Sequence, residues 1–214
     1  MPFRIYHQTP YYSQSAHAED PRSQGEWDAY KYCGAVKSRS INGYCTLPGN
    51  VRVNQQTVSR ARQHFGQFLA GLLNGRGDVY LVPSPSKDSW DTPEFRSLAM
   101  LREALPHLQN RLFPVVRFIA QRDPASQGGA RGYDAVYPHL KVQNAPGFRR
   151  VIVIDDILTS GGTMLAVRRR LMDAGHQVLF GVACGRTTHQ HLTPFHADWE
   201  DVDDTARSLP FLTC

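Results

Sequence analysis

The stretch VIVIDDILTSGGTM, from Val151 to Met164, places two adjacent carboxylates between an apolar run and a loop of small residues. A continuous apolar run such as VIVI is typical of a strand that is buried on both faces of a parallel sheet. The acids need water or a partner, and the glycines indicate a backbone outside ordinary helix or strand geometry. A bound ligand would satisfy all three requirements.

The loop TSGGT at 159–163 leads into a predicted helix, which is typical of a phosphate site because backbone amides and the helix dipole converge there. Two carboxylates beside it suit a ligand whose hydroxyls lie close to its phosphate, such as a ribose 5-phosphate. The alternative, a plain turn capped by serine, explains the glycines but not the acids. We expect the empty loop to face solvent. The candidate 5-phosphate ligands are Thr159, Ser160, Gly161, Gly162 and Thr163, and the candidate catalytic acids are Asp155 and Asp156.

Strands and helices alternate along the rest of the chain, which predicts an α/β fold with a mainly parallel sheet and helices on both faces. Residues 1–28 are polar and are expected to form an arm or loose cap. The predicted helices are 53–73, a second that opens at Thr92-Pro93, and 163–174; the predicted strands are DVYLVP, FPVVRFIA (113–120), RVIVID and HQVLFGVACG.

Composition limits the class of protein. The chain has 214 residues, 41% hydrophobic and 20% charged, which suits one globular domain with an added flap. No apolar run approaches the roughly 20 residues of a membrane span, and the N-terminus lacks a signal-peptide core, so a cytoplasmic protein is expected. The four cysteines form no CxxC pair and are expected to be free thiols, with Cys184 buried in a strand. A net charge of +5 is weak evidence for nucleic acid.

VIVIDDILTSGGTM resembles the phosphoribosyl-diphosphate motif of type I phosphoribosyltransferases: four apolar residues, two acids, two apolar residues and a small Thr/Gly-rich loop. Ser160 stands where threonine is usual. The resemblance covers about residues 78–186, and the Val-Pro-x-Pro pattern at 82–85 is similar to the competence-associated, ComF-like branch. That branch commonly has an N-terminal zinc ribbon, which this chain lacks. The resemblance implies a type I phosphoribosyltransferase-like fold with a small hood.

The resemblance also implies further site residues. The loop after the first core strand, VPSPSKDS, would hold pyrophosphate, often through a non-proline cis peptide. The segment 121–148 lies where the family has its mobile catalytic loop, although ordinary solvated side chains fit its basic residues equally well. Mg²⁺ would bind through the ligand near Asp155 and Asp156, with no direct protein ligand assigned. The pyrophosphate candidates are Ser84, Ser86 and Lys87, and the mobile-loop candidates are Arg122, Arg131 and Lys141.

The implied reaction transfers a 5-phosphoribosyl group from phosphoribosyl diphosphate to a nitrogenous small molecule and releases pyrophosphate. Thr159 disfavours a 6-oxopurine acceptor, because those family members carry at this place an aspartate that handles a purine ring proton. Two other classes stay open: a non-catalytic regulator that binds phosphoribosyl diphosphate, and a protein that acts with nucleic acid. Type I enzymes often dimerise, so a homodimer is also expected; no membrane partner is.

Three regions complete the sequence-based expectations. Residues 1–75 are assigned to an N-terminal arm with hood and flanking helix, 76–190 to the phosphoribosyltransferase core, and 191–214 to a tail that could join the hood. The run Arg168-Arg169-Arg170 is expected to be a solvated helix face. The histidines of THQHLTPFH are expected to be polar loop residues. Two alternatives are metal ligation and a place in the lining of a base pocket. The three tryptophans, Trp27, Trp90 and Trp199, are expected to pack rather than stack on a ligand.

Overall fold

The structure is a computed structural model, and it describes residues 2–13, 21–121, 132–143 and 147–210. Strands and helices alternate along most of these residues. In chain order they are β1 (Phe3–Tyr12), α1 (Gln24–Ser38), β2 (Tyr44–Leu47), β3 (Val51–Asn54), α2 (Ser59–Leu73), β4 (Val79–Pro83), α3 (Arg96–Ala104), β5 (Val116–Phe118), α4 (Tyr133–Val136), β6 (Leu140–Val142), β7 (Arg150–Leu158), α5 (Gly162–Asp173), β8 (Gln177–Thr188) and β9 (Asp198–Val202).

The main sheet has the strand order β4-β7-β8-β1-β9. The first four strands are mutually parallel, and β9 pairs with β1 in the antiparallel sense. Helices cover both faces, with α1 and α2 on one and α5 on the other. The predicted α/β fold with a mainly parallel sheet is therefore confirmed. Within the described residues, no helix has the length and apolar character needed to cross a membrane.

Strand β7 shows why the apolar run has no polar break. Val151 and Val153 are fully buried against the α5 side of the sheet, whereas Ile152 and Ile154 are fully buried against the α1 and α2 side. Successive side chains of a strand point to opposite faces, so a central strand covered on both needs apolar residues at every position. The apolar run ends at Asp155, although β7 itself continues to Leu158.

The N-terminal residues form part of the sheet, so the expectation of a loose arm is wrong for residues 3–12. Strand β1 lies between β8 and β9, with His7 in register with Ala183 of β8. Phe3 and Ile5 are buried in the core on the α5 side. The sequence did not predict this strand, because its buried apolar residues alternate with polar ones and form no continuous apolar run. The division of the chain at residues 75 and 190 stays a prediction.

The segment FPVVRFIA is not a strand of the main sheet. It begins to pair with β4, since Leu112 bridges Leu81 and the Phe113 amide donates to the Leu81 carbonyl at 2.8 Å. Pro114 then has no amide proton to continue the ladder. The following residues form β5, which pairs with β6 in a separate two-stranded antiparallel sheet.

Two predicted helices begin later than expected. Asn54 ends β3, and its side chain accepts hydrogen bonds from the amides of Gln56 and Thr57, so α2 starts only at Ser59. The helix predicted from Thr92 begins at Arg96, and its first amide donates to Asp88 Oδ2 at 3.1 Å. The capping carboxylate therefore comes from eight residues earlier in the chain, which the local pattern cannot show.

Candidate functional site

The adjacent carboxylates, Asp155 and Asp156, lie near the carboxyl end of β7, an interior strand of the main sheet. Short backbone contacts orient them: Asp155 Oδ1 accepts from the Asp156 amide at 2.9 Å, and Asp156 Oδ1 accepts from the Ile157 amide at 2.7 Å. Lys37 of α1 brings its ammonium to 3.5 Å from Asp156 Oδ1. The acid pair is thus partly neutralised by an element from the N-terminal part of the chain.

Burial raises the pKa of Asp155 to about 7, and the negative charge of Asp156 adds to the rise. The Asp156 amide, Lys37 and the Ser84 hydroxyl oppose this shift and favour the ionised form. A carboxyl that titrates near neutral pH at a strand end is a feature of functional sites, because a fold alone has no need of it.

The raised pKa of Asp155 gives a pH prediction. An unfolded aspartate titrates near about 3.9. Between about pH 4 and pH 7, the native state therefore holds a proton that the unfolded chain has lost, and the free energy of unfolding falls as pH rises. We expect Asp155→Asn to raise the melting temperature over wild type by several degrees more at pH 8 than at pH 5. Thermal melts of both proteins at the two pH values measure this difference.

Asp201→Asn is the matched control for this prediction. Asp201 is exposed at the edge of the sheet, and its ion pair with Arg4 at 2.8 Å lowers the pKa of the carboxyl. It is therefore ionised in both states from pH 5 to pH 8, so its substitution should shift the melting temperature equally at both. If Asp155→Asn behaved in the same way, Asp155 would be ionised in the native protein throughout this range.

The loop at 159–163, called the phosphate loop below, has the backbone that its glycines predicted. Gly161 adopts a left-handed conformation with φ +66° and opens α5 as its N-terminal cap residue. It supplies no side-chain cap, and no hydrogen bond within the described residues uses the amides of Ser160 through Thr163. Unpaired amides at a helix N-terminus form a concave group of donors that suits an oxyanion.

The phosphate loop is only partly open to solvent, so the expectation of a solvent-facing loop is wrong for its two glycines. Gly161 and Gly162 are both buried. The Leu209 side chain lies 2.5 Å from the position that a Cβ at Gly161 would take, and the backbone of Gly132 and Tyr133 lies within 2.6 Å of a Cβ at Gly162. Glycine is therefore required at both positions by close neighbours, in addition to the positive φ at Gly161.

The hydroxyl donors of the phosphate loop differ in access. Thr159 is exposed, and Ser160 and Thr163 are half-buried. Their roles as phosphate donors stay predictions.

The second predicted loop lies beside the acid pair. The Ser84 amide donates to the Ile154 carbonyl at 2.8 Å, which joins the end of β4 to the end of β7. Ser84 is buried and Lys87 is exposed, whereas the Ser86 hydroxyl donates to Asp88 Oδ1 at 2.5 Å. Every peptide bond in the described residues is trans, so the implied cis peptide is absent from this loop. The pyrophosphate role of these residues stays a prediction.

Of the three candidates for the mobile catalytic loop, one lies within the described residues. Arg122 and Arg131 lie outside the described residues. Lys141 lies on β6, opposite Arg117 of β5. No hydrogen bond or ion pair within the described residues joins Lys141 to the phosphate loop.

Sequence reasoning missed a buried arginine at the end of β8. Arg186 is 0% exposed and forms an ion pair with Glu200 of β9, with Nε at 2.7 Å from Oε1. Its guanidinium also donates to the carbonyls of Thr159 and Pro210. A charged residue directly after the apolar run VLFGVACG was the available signal, because a buried charge needs dedicated partners. No comparable sequence pattern marks Lys37, which is a basic residue in the last turn of α1.

The arginine run on α5 is not a solvated face. Arg168 is 8% exposed, pairs with Asp204 at 2.6 Å and lies over the Phe3 ring. Arg170 donates to the Tyr137 carbonyl, and only Arg169 is exposed, so the expectation is wrong for Arg168 and holds for Arg169. The partner carboxylate lies 36 residues away in the chain.

The remaining candidate groups stay outside the site. His191 Nδ1 lies 2.6 Å from Glu26 Oε1, and the ring stacks on Tyr12. Within the described residues, no three His, Cys, Asp or Glu side chains are grouped as metal ligands would be. Cys184 is buried in β8, as predicted, and its sulfur lies 3.9 Å from that of Cys33. The three tryptophans are exposed: Trp27 37%, Trp90 40% and Trp199 49%.

Comparisons with known proteins gave matches among solved structures. No family model matches the chain, and no curated protein sequence matches it. An adenine phosphoribosyltransferase structure is similar at 16% identity over 72% of this chain and 89% of that chain, with a TM-score of 0.43. Adenine phosphoribosyltransferase from Thermoanaerobacter pseudethanolicus is similar at 17% identity over 64% and 88%, with a TM-score of 0.40.

Two further structures are similar. UMP synthase from Leishmania donovani matches at 15% identity over 78% of this chain, which spans 32% of that longer chain, with a TM-score of 0.40. Orotate phosphoribosyltransferase from Mycobacterium tuberculosis matches at 17% identity over 75% and 94%, with a TM-score of 0.36. Three of the four are named for the class of activity that the motif at 151–164 resembles.

Proposed function

We propose that the protein is a phosphoribosyltransferase, which moves a 5-phosphoribosyl group from phosphoribosyl diphosphate to a nitrogenous small molecule. The observation that carries this proposal is the direct succession of two features along the chain. The acid pair lies near the carboxyl end of the interior strand β7, and Gly161 then opens an α5 that has no side-chain cap. A ligand with adjacent hydroxyls and a nearby phosphate meets both features at once.

Each part of such a ligand has a partner of suitable chemistry. Ionised carboxylates are acceptors only, so Asp155 and Asp156 would accept from the ribose 2- and 3-hydroxyls. The amides of the phosphate loop would donate to the 5-phosphate, whose charge also suits the N-terminus of α5. Lys37, at 3.5 Å from Asp156, would balance part of the negative charge of the acid pair.

In the proposed reaction, the bond from the anomeric carbon to the diphosphate oxygen breaks, and a bond to the acceptor nitrogen forms. The electron pair leaves with pyrophosphate, and the acceptor nitrogen loses its proton. Positive charge develops on the sugar as the bond breaks, as in glycoside cleavage. The two acids at the ribose lie where they would stabilise this charge, and the cover of Leu209 and Tyr133 over the loop would exclude water from the phosphate end.

A magnesium ion fits the chemistry of this donor set. Mg²⁺ takes oxygen ligands, keeps several waters and commonly binds through one or two carboxylates and substrate phosphates. Asp155 and Asp156 are the side chains that would hold it, through its waters, and it would supply charge neutralisation for the diphosphate. Burial that raises the pKa of Asp155 to about 7 makes a nearby cation favourable for the ionised carboxylate.

One observation favours a second candidate, a protein that binds phosphoribosyl diphosphate without turnover. The loop proposed for pyrophosphate contains Asp88. Its carboxylate accepts a hydrogen bond from the Ser86 hydroxyl at 2.5 Å and another from the Arg96 amide. A fixed carboxylate there removes a donor from the diphosphate and adds repulsion. Such a protein would keep the acid pair and the phosphate loop and would need no leaving-group stabilisation.

Calorimetric titration of the protein with phosphoribosyl diphosphate and Mg²⁺ tests the proposal. We expect saturable binding that is tighter than the binding of ribose 5-phosphate, because the diphosphate adds contacts. If neither ligand gave binding heat or raised the melting temperature, the proposal would be excluded. A screen of nitrogenous acceptors by mass spectrometry then separates the candidates: pyrophosphate release with a ribosylated product indicates the transferase, and binding without either indicates the regulator.

A further inference from the structure

The phosphate loop is held from behind by residues that the ligand itself would not contact. The guanidinium of Arg186 donates to the carbonyl of Thr159, the first residue of the loop. The amide of Leu209 donates to the carbonyl of Ser160 at 2.8 Å. Inside α5, the amide of Leu165 donates to the carbonyl of Gly161 at 3.0 Å. Three successive carbonyls of the loop are therefore fixed.

Fixing these carbonyls also fixes the amides that follow them. In a planar trans peptide, the C=O of one residue and the N–H of the next point in opposite directions. All peptide bonds in the described residues are trans. Holding the carbonyls of Thr159, Ser160 and Gly161 thus fixes the direction of the three amides that follow them, and no hydrogen bond within the described residues uses these amides.

Two of these contacts come from outside the loop and α5, one from Arg186 of β8 and one from Leu209. Arg186 is fully buried at the end of β8, and its charge is balanced by Glu200 of β9. It also donates to the carbonyl of Pro210, which ties the segment 203–210, called the strap below, to the loop. The Leu209 side chain fills the space beside Gly161, where a Cβ would otherwise be.

We propose that Arg186 and Leu209 are positioning residues, which hold the phosphate loop so that its amides converge on one phosphate monoester before the ligand arrives. This inference rests on the proposed function, since it concerns the same 5-phosphate. Preorganised donors bind an oxyanion more tightly than a loop that must order itself on binding, because the ordering has already been completed in folding.

The strap offers a matched control for Arg186. Arg168 is also buried and also binds the strap, through an ion pair with Asp204 at 2.6 Å. It makes no hydrogen bond to the phosphate loop in the described residues. Arg186→Lys keeps the charge for Glu200 but cannot span the Thr159 and Pro210 carbonyls as well, because lysine lacks the planar fork. Arg168→Lys makes the same chemical change at a second buried arginine that contacts the strap.

The experiment measures calorimetric affinities of the full chain for ribose 5-phosphate and, with Mg²⁺, for inorganic pyrophosphate. We expect Arg186→Lys to lower affinity for ribose 5-phosphate by at least about tenfold and to leave pyrophosphate affinity unchanged, because misaimed amides weaken charge-assisted hydrogen bonds. Arg168→Lys should leave both affinities unchanged. A general loss of packing would lower the affinities for both ligands. A loss for ribose 5-phosphate alone is therefore specific to positioning of the phosphate loop.

A second variant tests the other half of the device and serves if Arg186→Lys does not fold. Leu209→Ala removes the side chain beside Gly161 and keeps the backbone amide, so we expect a several-fold loss for ribose 5-phosphate alone. Val202→Ala is its control, because Val202 is similarly buried on β9. The inference would be overturned if the folded Arg186 and Leu209 variants bound ribose 5-phosphate as tightly as wild type. It would also be overturned if the control variants lost as much affinity as they do. Wild type that binds no ribose 5-phosphate would overturn the proposed function together with it.

Discussion

Changing Asp155 and Asp156 together to asparagine should weaken binding of phosphoribosyl diphosphate by at least about 100-fold. Each acid is proposed to accept a hydroxyl hydrogen bond, and bonds to charged groups contribute about 1.5–3 kcal/mol. Two such losses correspond to roughly 3–6 kcal/mol, and each 1.4 kcal/mol is a factor of about ten. Calorimetry of the double variant with Mg²⁺ present measures the loss.

The double variant should remain folded, which separates this loss from unfolding. Removing two adjacent charges relieves their repulsion and the cost of burying the ionised Asp155, so the melting temperature should not fall. Lys37 loses its partner but is 42% exposed and can be hydrated. Asp201→Asn is the control and should bind like wild type. A folded double variant with unchanged affinity would show that the acids have another role.

Gly161→Val should destabilise the protein even without ligand. A β-branched residue in the left-handed region costs about 1–2 kcal/mol, and overpacking in a buried site costs about 1–3 kcal/mol. Gly161 has φ +66°, and its Cβ would meet Leu209 at 2.5 Å. A total of roughly 2–5 kcal/mol lowers the melting temperature of a chain of this size by about 4–20 °C. Thermal unfolding of the ligand-free protein measures the fall.

Gly175→Val is the control at the other end of the same helix. Gly175 has φ +84°, but no atom lies within 4 Å of the Cβ position there, so this variant carries only the backbone strain. The excess cost at Gly161 then reports the contact with Leu209. Adding Leu209→Ala to Gly161→Val should recover part of the stability. Equal melting temperatures for the two valine variants would mean that Leu209 does not lie against the loop.

Local patterns predicted the parts of the molecule whose cause is local. The apolar run of β7 needs burial on both faces, the acids follow it directly, and the glycine at 161 supplies a positive φ. These features are determined by neighbouring residues and are therefore visible in one short stretch. The strand–loop–helix unit and its place in a mainly parallel sheet could be predicted for this reason.

The surroundings of the phosphate loop could not be predicted, because they are set by contacts between distant residues. Arg168 and Arg169 are neighbours in the same run, yet the first is buried by its pairing with Asp204 and the second is exposed. Leu209 covers a glycine 48 positions earlier, and Lys37 reaches Asp156 from 119 residues away. Neither residue differs in type or spacing from ordinary surface or core residues of its segment.

The place of β1 in the sheet has a consequence for the synthesis of the chain. The strand at residues 3–12 is made before both of its neighbours, the parallel strand β8 at 177–188 and the antiparallel strand β9 at 198–202. Its backbone donors and acceptors can therefore be paired as in the folded sheet only after residue 202 has emerged from the ribosome. Pairings that close such long loops are slow, and unpaired strand edges promote association with other chains. We therefore expect the nascent protein to depend on chaperones until β8 and β9 have been made.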